Sequence, residues 1–420
     1  MVTSPCTLRA TSFSRRSFLT TAVASASQLP GNCPSQEVPR GRSLAGSRKR
    51  KKLIGWSSDI AYPSKVQNNI RKIEELPLDG IVLSNFRGER AGQQFTFDWE
   101  CFGREKFERQ QLEPMIQILA NTQFERFTDN FLRFTVQPGD FDWFDNFSAP
   151  LHNARLWAGV ALEVGARGLK FDVEDYKERL FVYQKQKHAG SKSFEEYARQ
   201  VRRRGRETMA AIQSRYPHIV LLLSLAHSYV VKTSTGKGEL AELSSYGLLP
   251  AFIDGLIEAA GPEVRLVDGQ EQAYGYLSAE DYFRGYHDIK ERALVLVPAA
   301  LKAKYRRKME VAVAIFANYQ LGVYRTSTPY WPAQYMSTED RLRLFEQNIY
   351  HALETTDEYA WLYSEHMGWW ENGHAVETPV GALEAIQVAR DKFFSGQQLG
   401  FDLASVIAEA RAEMNAVTDQ

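Results

Sequence analysis

The segment Gly168-Leu-Lys-Phe-Asp-Val-Glu-Asp-Tyr176 carries the residue types and spacing most suited to chemistry. A β-strand turns successive side chains to opposite faces, so Lys170, Asp172 and Glu174 share one side and Leu169, Phe171 and Val173 the other. In a strand buried on both faces, a charged column is costly unless the charges pair or line a site. Two carboxylates close together titrate apart, because both do not ionise easily, and this suits proton transfer. Glu174 is the expected general acid, its pKa raised by Asp172, and Lys170, one step deeper, is expected to hold Asp172 ionised. The bland alternative is a buried Lys170–Asp172 ion pair with Glu174 capping a loop.

Eight short aliphatic or β-branched runs alternate with helical patterns from residue 53 onward. The strands are expected near 53–59, 79–85, 130–137, 168–174, 218–227, 264–268, 311–318 and 358–365. Helices are expected near 64–76, 105–122, 149–165, 193–215, 246–260, 278–293, 338–355, 380–394 and 402–415. Eight such units predict an α/β fold, a single-domain (β/α)8 TIM barrel over 51–420. Alternation repeats on other strands: Arg133, Thr135 and Gln137 face away from Leu132, Phe134 and Val136, and Trp361, Tyr363 and Glu365 share a side. On the first strand Gly55, Ser57 and Asp59 form the small polar set, and several inward polar sets suggest a solvated, ligand-lined mouth.

In this architecture chemistry sits at the carboxyl ends of the strands, where Asp59, Gln137, Asp172, Glu174, His227, Asp268, Glu271, Asn318 and Glu365 fall. Aromatic residues follow in the loops, among them Trp99, Trp143, Tyr229, Tyr274, Tyr276, Tyr330, Trp331, Trp369 and Trp370. Paired carboxylates with exposed rings suit glycoside cleavage, where one carboxyl protonates the leaving oxygen and another stabilises or attacks the anomeric carbon. The catalytic candidates are therefore Asp172, Glu174, Asp268 and Glu365. The substrate-binding candidates are Asp59, Arg133, Gln137, Lys170, His227, Tyr229, Glu271, Asn318, Trp369 and Trp370. Arg133 has a second reading, neutralising Asp172 across the barrel, and the tryptophan pair has one in packing under the last helices.

The ending Asp172-Val-Glu174 resembles the fourth-strand motif of family 18 chitinase-like barrels, in which the glutamate is the general acid; Gly168 and Lys170 replace that motif's upstream aspartates. Lys170-Phe-Asp172 also resembles the Lys-aromatic-Asp of the α-galactosidase clan, which implies Asp172 as nucleophile and Asp268 as acid. Both resemblances cover fewer than ten residues, and they agree that the fourth strand carries catalysis.

Charge and cysteine content narrow the partners. The formal net charge is zero over 420 residues, yet residues 1–52 hold ten Lys and Arg against one acid, so the remainder is acidic, which argues against nucleic acid. Ser14-Arg-Arg-Ser-Phe-Leu19 and the small apolar run to Ala26 have the form of a twin-arginine signal, so the expectations are a leader over 1–26, engagement of the twin-arginine export machinery, and a periplasmic or extracellular mature protein without an integral membrane segment. Residues 27–50 are expected to be a disordered basic linker. Three cysteines make no disulfide scaffold, and no spacing implies a metal or other cofactor. Rival classes are a noncatalytic carbohydrate-binding barrel and an aldolase barrel built on a desolvated lysine, for which Lys170 is the candidate.

Overall fold

The computed structural model describes residues 51–57, 59–176, 179–233, 237–243, 245–324 and 330–418. The leader and linker read over 1–50 lie outside the described residues.

Eight parallel strands form the sheet: β1 Lys52–Trp56, β2 Gly80–Leu83, β3 Phe131–Thr135, β4 Gly168–Asp172, β5 Val220–Leu223, β6 Arg265–Asp268, β7 in two pieces, Met309–Val311 and Val313–Phe316, and β8 Tyr359–Tyr363. Each pairs in parallel with its sequence neighbour, and β8 pairs with β1 from Lys52 opposite Tyr359 to Trp56 opposite Tyr363. The ring closes through β7, whose first piece pairs with β6 and whose second pairs with β8. At the break between them the Ala312 N–H still donates to the Asp268 carbonyl at 2.9 Å. Helices on the outside include Pro63–Ile73, Arg109–Asn121, Ser148–Glu163, Phe194–Gln213, Leu249–Ala259, Ala279–Lys290 and Thr338–Thr355, with Ala382–Ser395 and Ala404–Thr418 at the end. This is the (β/α)8 barrel expected from the pattern, with the expected strand count.

Parallel strands enclosed by helices are buried on both faces, which explains the continuous apolar runs such as Val220-Leu-Leu-Leu223. Leu53, Ile81, Leu132, Leu169, Leu221 and Leu266 point outward into the core beneath the helices. Their strand neighbours Ile54, Val82, Phe131, Val220, Leu222 and Val267 fill the barrel interior. That parity corrects the reading of the first strand. Ile54 and Trp56 face inward, whereas a Cβ on Gly55 would meet Leu78 and Ile60 on the outer side. Ser57 and Asp59 stand beyond the strand's end, and the serine hydroxyl donates to the Asp59 carboxylate.

The long β2-to-helix connection adds a hairpin, Arg87–Arg90 against Gln93–Thr96, and a 3-10 turn at Phe97–Trp99. The turn brings Asp98 and Trp99 to the end of β3. The arginine-rich helix Phe194–Gln213 is capped by Ser193 and Glu196, and its outer face pairs Arg202 with Glu258 and Arg203 with Glu207, as a solvated face should.

Candidate active site

The site grows from two inward positions on neighbouring strands. Arg133 on β3 stands beside Lys170 on β4, and Thr135 beside Asp172. The Arg133 guanidinium donates to Asp172 Oδ2 at 2.7 Å and reaches Asp98 Oδ2 at 3.5 Å from its other amino group, bridging two buried carboxylates. Its carbon lies 4.2 Å from the Trp99 ring centroid and 5.4 Å from that of Trp56, so indole faces supply part of the solvation that water would give. The paired carboxylates hold the Arg133 pKa above its usual value against the opposing effect of burial, which keeps the cation charged. Asp98 is anchored by the Phe86 and Asn85 N–H groups at 2.9 and 3.1 Å; burial pushes its pKa up, with Arg133 pulling the other way.

Asp172 is also held from β5 and its own loop. Oδ1 accepts the Ser224 hydroxyl at 3.2 Å and the Glu174 N–H at 3.3 Å, while Oδ2 accepts the Tyr176 hydroxyl at 3.2 Å besides Arg133. Lys170, one step deeper and fully buried, donates to Ser224 Oγ at 2.6 Å. Its ammonium sits 4.1 Å from the Trp361 centroid and 5.2 Å from that of Trp56. Burial lowers its pKa from 10.5 to about 8, opposed by Asp172, Glu271 and Glu174 and assisted by Arg133.

Glu174 and Glu271 complete the acidic side of the mouth. Glu174 is 4% exposed and its carbonyl is held by the Gln137 side-chain amide at 3.0 Å. Glu271 follows β6, with its N–H on the Ser224 carbonyl at 3.2 Å. Both raise the pKa of Tyr229, to about 12, after the larger effect of burial. The next residue along the β4 loop, Asp175, is buried against Tyr246, whose hydroxyl accepts the Asp175 N–H at 3.1 Å; desolvation lifts this carboxyl to about 8. Trp361, Tyr363 and Tyr274 form the opposite wall, with Tyr274 and Tyr363 stacked at 6.1 Å.

The structure thus brings together Arg133, Gln137, Lys170, Asp172, Glu174, Tyr229 and Glu271 from the expected set. Others stand apart. Asp268 has the parity of Leu266, facing the helix layer, where its carboxylate accepts the Gln270 and Ser228 N–H groups at 3.1 and 3.4 Å and burial raises its pKa. His227 is fully buried beside it, with Nε2 3.1 Å from Asp254 Oδ1 and its ring edge-on to Tyr305. Asp59 binds the Trp369 N–H with its carboxylate and the Trp370 indole with its carbonyl. Asn318 directs both amide atoms to the Glu365 backbone, at 2.8 and 3.0 Å, and so clamps the ends of β7 and β8; the Glu365 side chain is half-buried on that rim. Trp369 donates to Ser364 and stacks on Phe345, and Trp370 lies under Lys65. These two rings serve packing at the last loop.

Several members of the cluster were not singled out as site residues from the sequence. Ser224 had a readable signal, since alternation in Val220–Ser224 puts it on the face of Leu222. Trp56 was hidden by the one-residue error in β1 parity. Asp98 lies in an inserted loop remote from any strand end and had no local signal.

No protein-family model and no curated protein matches the chain. Among solved structures, Eubacterium rectale Amy13B is 7% identical and aligns over 87% of this chain and 80% of its own, with a TM-score of 0.43. A GH5-4 broad specificity endoglucanase from an uncultured bacterium is 8% identical over 83% of this chain and 96% of its own, with a TM-score of 0.41. A GH36 α-galactosidase from Geobacillus stearothermophilus, in complex with stachyose, is 12% identical over 83% of this chain and 42% of its own, with a TM-score of 0.35. These neighbours are carbohydrate-active enzymes, and the barrel assignment stands on this chain's own strand pairing. No described helix is long and apolar enough to cross a membrane.

Proposed function

We propose that the chain is a glycoside hydrolase in which Asp172 is the carboxylate facing the anomeric carbon. The supporting observation is the setting of Asp172: an inward carboxylate on β4, bound by Arg133 at 2.7 Å and flanked by the buried Lys170, with the half-buried rings of Trp99 and Tyr363 at the same end of the barrel. Arg133 and Lys170 oppose protonation of Asp172, and flat rings match the apolar faces of a pyranose. In both retaining and inverting cleavage the acid stands across the anomeric carbon from the second carboxylate. Glu174 rises from the same strand two residues on, whereas Glu271 enters from β6 with β5 between, so Glu271 takes the acid role in this reading and Glu174 orients sugar hydroxyls.

The test is hydrolysis of a glycan and aryl-glycoside panel by the chain from residue 51. Asp172→Asn is expected to lose roughly four orders of magnitude on every substrate, by analogy with removal of a catalytic carboxylate that works as part of a unit. Glu271→Gln is expected to lose activity on natural glycosides while retaining it on dinitrophenyl glycosides, whose leaving group needs no proton. Equal loss on both leaving groups would return the acid role to Glu174.

One observation favours a second reading, a noncatalytic carbohydrate-binding barrel. The two Asp172 oxygens accept four donors, which weakens a nucleophile as it steadies an anion. Sugar binding without hydrolysis, unchanged in Asp172→Asn, would select it. The twin-arginine segment supports export as part of the same proposal; a reporter fused after residue 26 that stays in the cytoplasm would remove it.

A further inference from the structure

We propose that Ser224 is a positioning residue that transmits the protonation state of Lys170 to the Asp172 carboxylate. Its role in turnover rests on the glycosidase reading, but the coupling itself does not. Ser224 is fully buried and its hydroxyl stands between the two charges, 2.6 Å from Lys170 Nζ and 3.2 Å from Asp172 Oδ1. Its backbone is fixed on both sides: the N–H donates to the Phe171 carbonyl on β4, and the carbonyl accepts the Glu271 N–H at 3.2 Å. One residue thus touches the cation, the β4 carboxylate and the segment that carries Glu271.

The direction of these bonds follows from donor inventory. An ammonium has three protons and no lone pair, so Ser224 Oγ must accept from Lys170, and its single proton then goes to Asp172. When Lys170 gives its proton to solvent, the amine lone pair becomes an acceptor and the serine proton can turn to it. Asp172 then loses one hydrogen bond and one neighbouring cation in the same event. The other groups facing Lys170 are Glu174 on its own strand segment, Glu271 beyond β6 and Arg133 on β3; the carboxylates favour the ammonium and Arg133 opposes it. The Trp361 and Trp56 faces hold it in place. Lys170 titrates at about 8, so this transfer falls in an accessible pH range.

Two measurements test the proposal with Ser224→Ala, and Ser224→Thr as the hydroxyl-bearing control. The first needs no substrate. Because the folded-state pKa of Lys170 is about 8 and its ordinary value 10.5, the unfolded chain binds more protons between these limits, and stability should rise with pH there relative to Lys170→Met. Removing the serine oxygen takes an acceptor from the buried ammonium, so in Ser224→Ala the onset should move to lower pH, and Ser224→Thr should restore it. An unchanged onset overturns the coupling. The second is the pH profile of kcat on the best glycoside. Ser224→Ala should lose roughly ten- to a hundredfold below pH 8, as expected for a misplaced reacting group, and should lack the wild-type decline that begins near pH 8. A loss by the same factor at every pH would mean a merely structural serine and overturn the role in turnover. Absence of hydrolysis in the wild type would count against the glycosidase reading alone, leaving the stability profile to decide the coupling.

Discussion

Arg133→Met tests the electrostatic centre of the site without any substrate. Arg133 is the cation that bridges Asp172, at 2.7 Å, and Asp98, at 3.5 Å, and all three are buried. Methionine keeps the stem volume but leaves two carboxylates facing each other in a low-dielectric mouth. Removing one partner of a buried pair costs about 3–5 kcal/mol, and losing the guanidinium over Trp99 adds up to about 2 kcal/mol at a desolvated site. The pH dependence has a definite sign. Burial already raises Asp98 above its ordinary pKa, so its contribution to stability is present at low pH and declines as pH rises through the folded value. Without Arg133 that value climbs further, and the cost of the mutation should be largest at neutral pH and shrink toward pH 4. Urea unfolding of wild type, Arg133→Met and Arg133→Lys at pH 4.5, 6 and 7.5 measures this. A cost below about 1 kcal/mol at pH 7.5, or one independent of pH, would refute a buried charge bridge whose energetics follow the usual penalty for unpaired ions.

Asp175→Asn should flatten part of the wild-type stability profile: desolvation lifts this carboxyl from 3.8 to about 8, so its contribution is intact in acid and lost as pH rises through about 8, which paired thermal unfolding curves from pH 4 to 9 would reveal. Gly168→Ala should destabilise severely, by roughly 3 kcal/mol or more, because the new Cβ would stand 1.8 Å from the Val220 carbonyl oxygen where β4 meets β5; near-wild-type urea unfolding would contradict that register. Trp361→Phe removes an indole N–H that donates to the Gly269 carbonyl at 2.7 Å and leaves a smaller phenyl face toward Lys170, with an expected cost of about 1–3 kcal/mol by the same assay.

Much of the barrel was written in the sequence because period-two and period-3.6 patterns are local properties. The eight strand runs, the helices between them and the inward column of Lys170, Asp172 and Glu174 all follow from alternation in a chain that must bury both sheet faces. The same rule turned Arg133 inward and gave it, as one of two readings, the role of neutralising Asp172 across the barrel; the structure instead puts the two on neighbouring strands, in contact at 2.7 Å. Where a strand's end or parity is uncertain by one residue the rule inverts, and so Asp59 and the polar set of β1 were read as inward while Trp56 was missed. Strand position likewise put Asp268 on the rim, but its parity with Leu266 turns it toward the helices, whereas Glu271, three residues on, returns to the mouth.

The remaining members of the site depended on tertiary structure. Asp98 and Trp99 reach β3 through an inserted hairpin, and Ser224 meets Lys170 and Asp172 because β5 lies beside β4 in a closed ring. Side-chain type, charge column and strand count are fixed along the chain, where each residue constrains its near neighbours. The partner of each charge is fixed by barrel closure and loop path, which bring together residues 35 to 54 positions apart, such as Arg133 with Asp98 and Lys170 with Ser224, at distances no local pattern encodes.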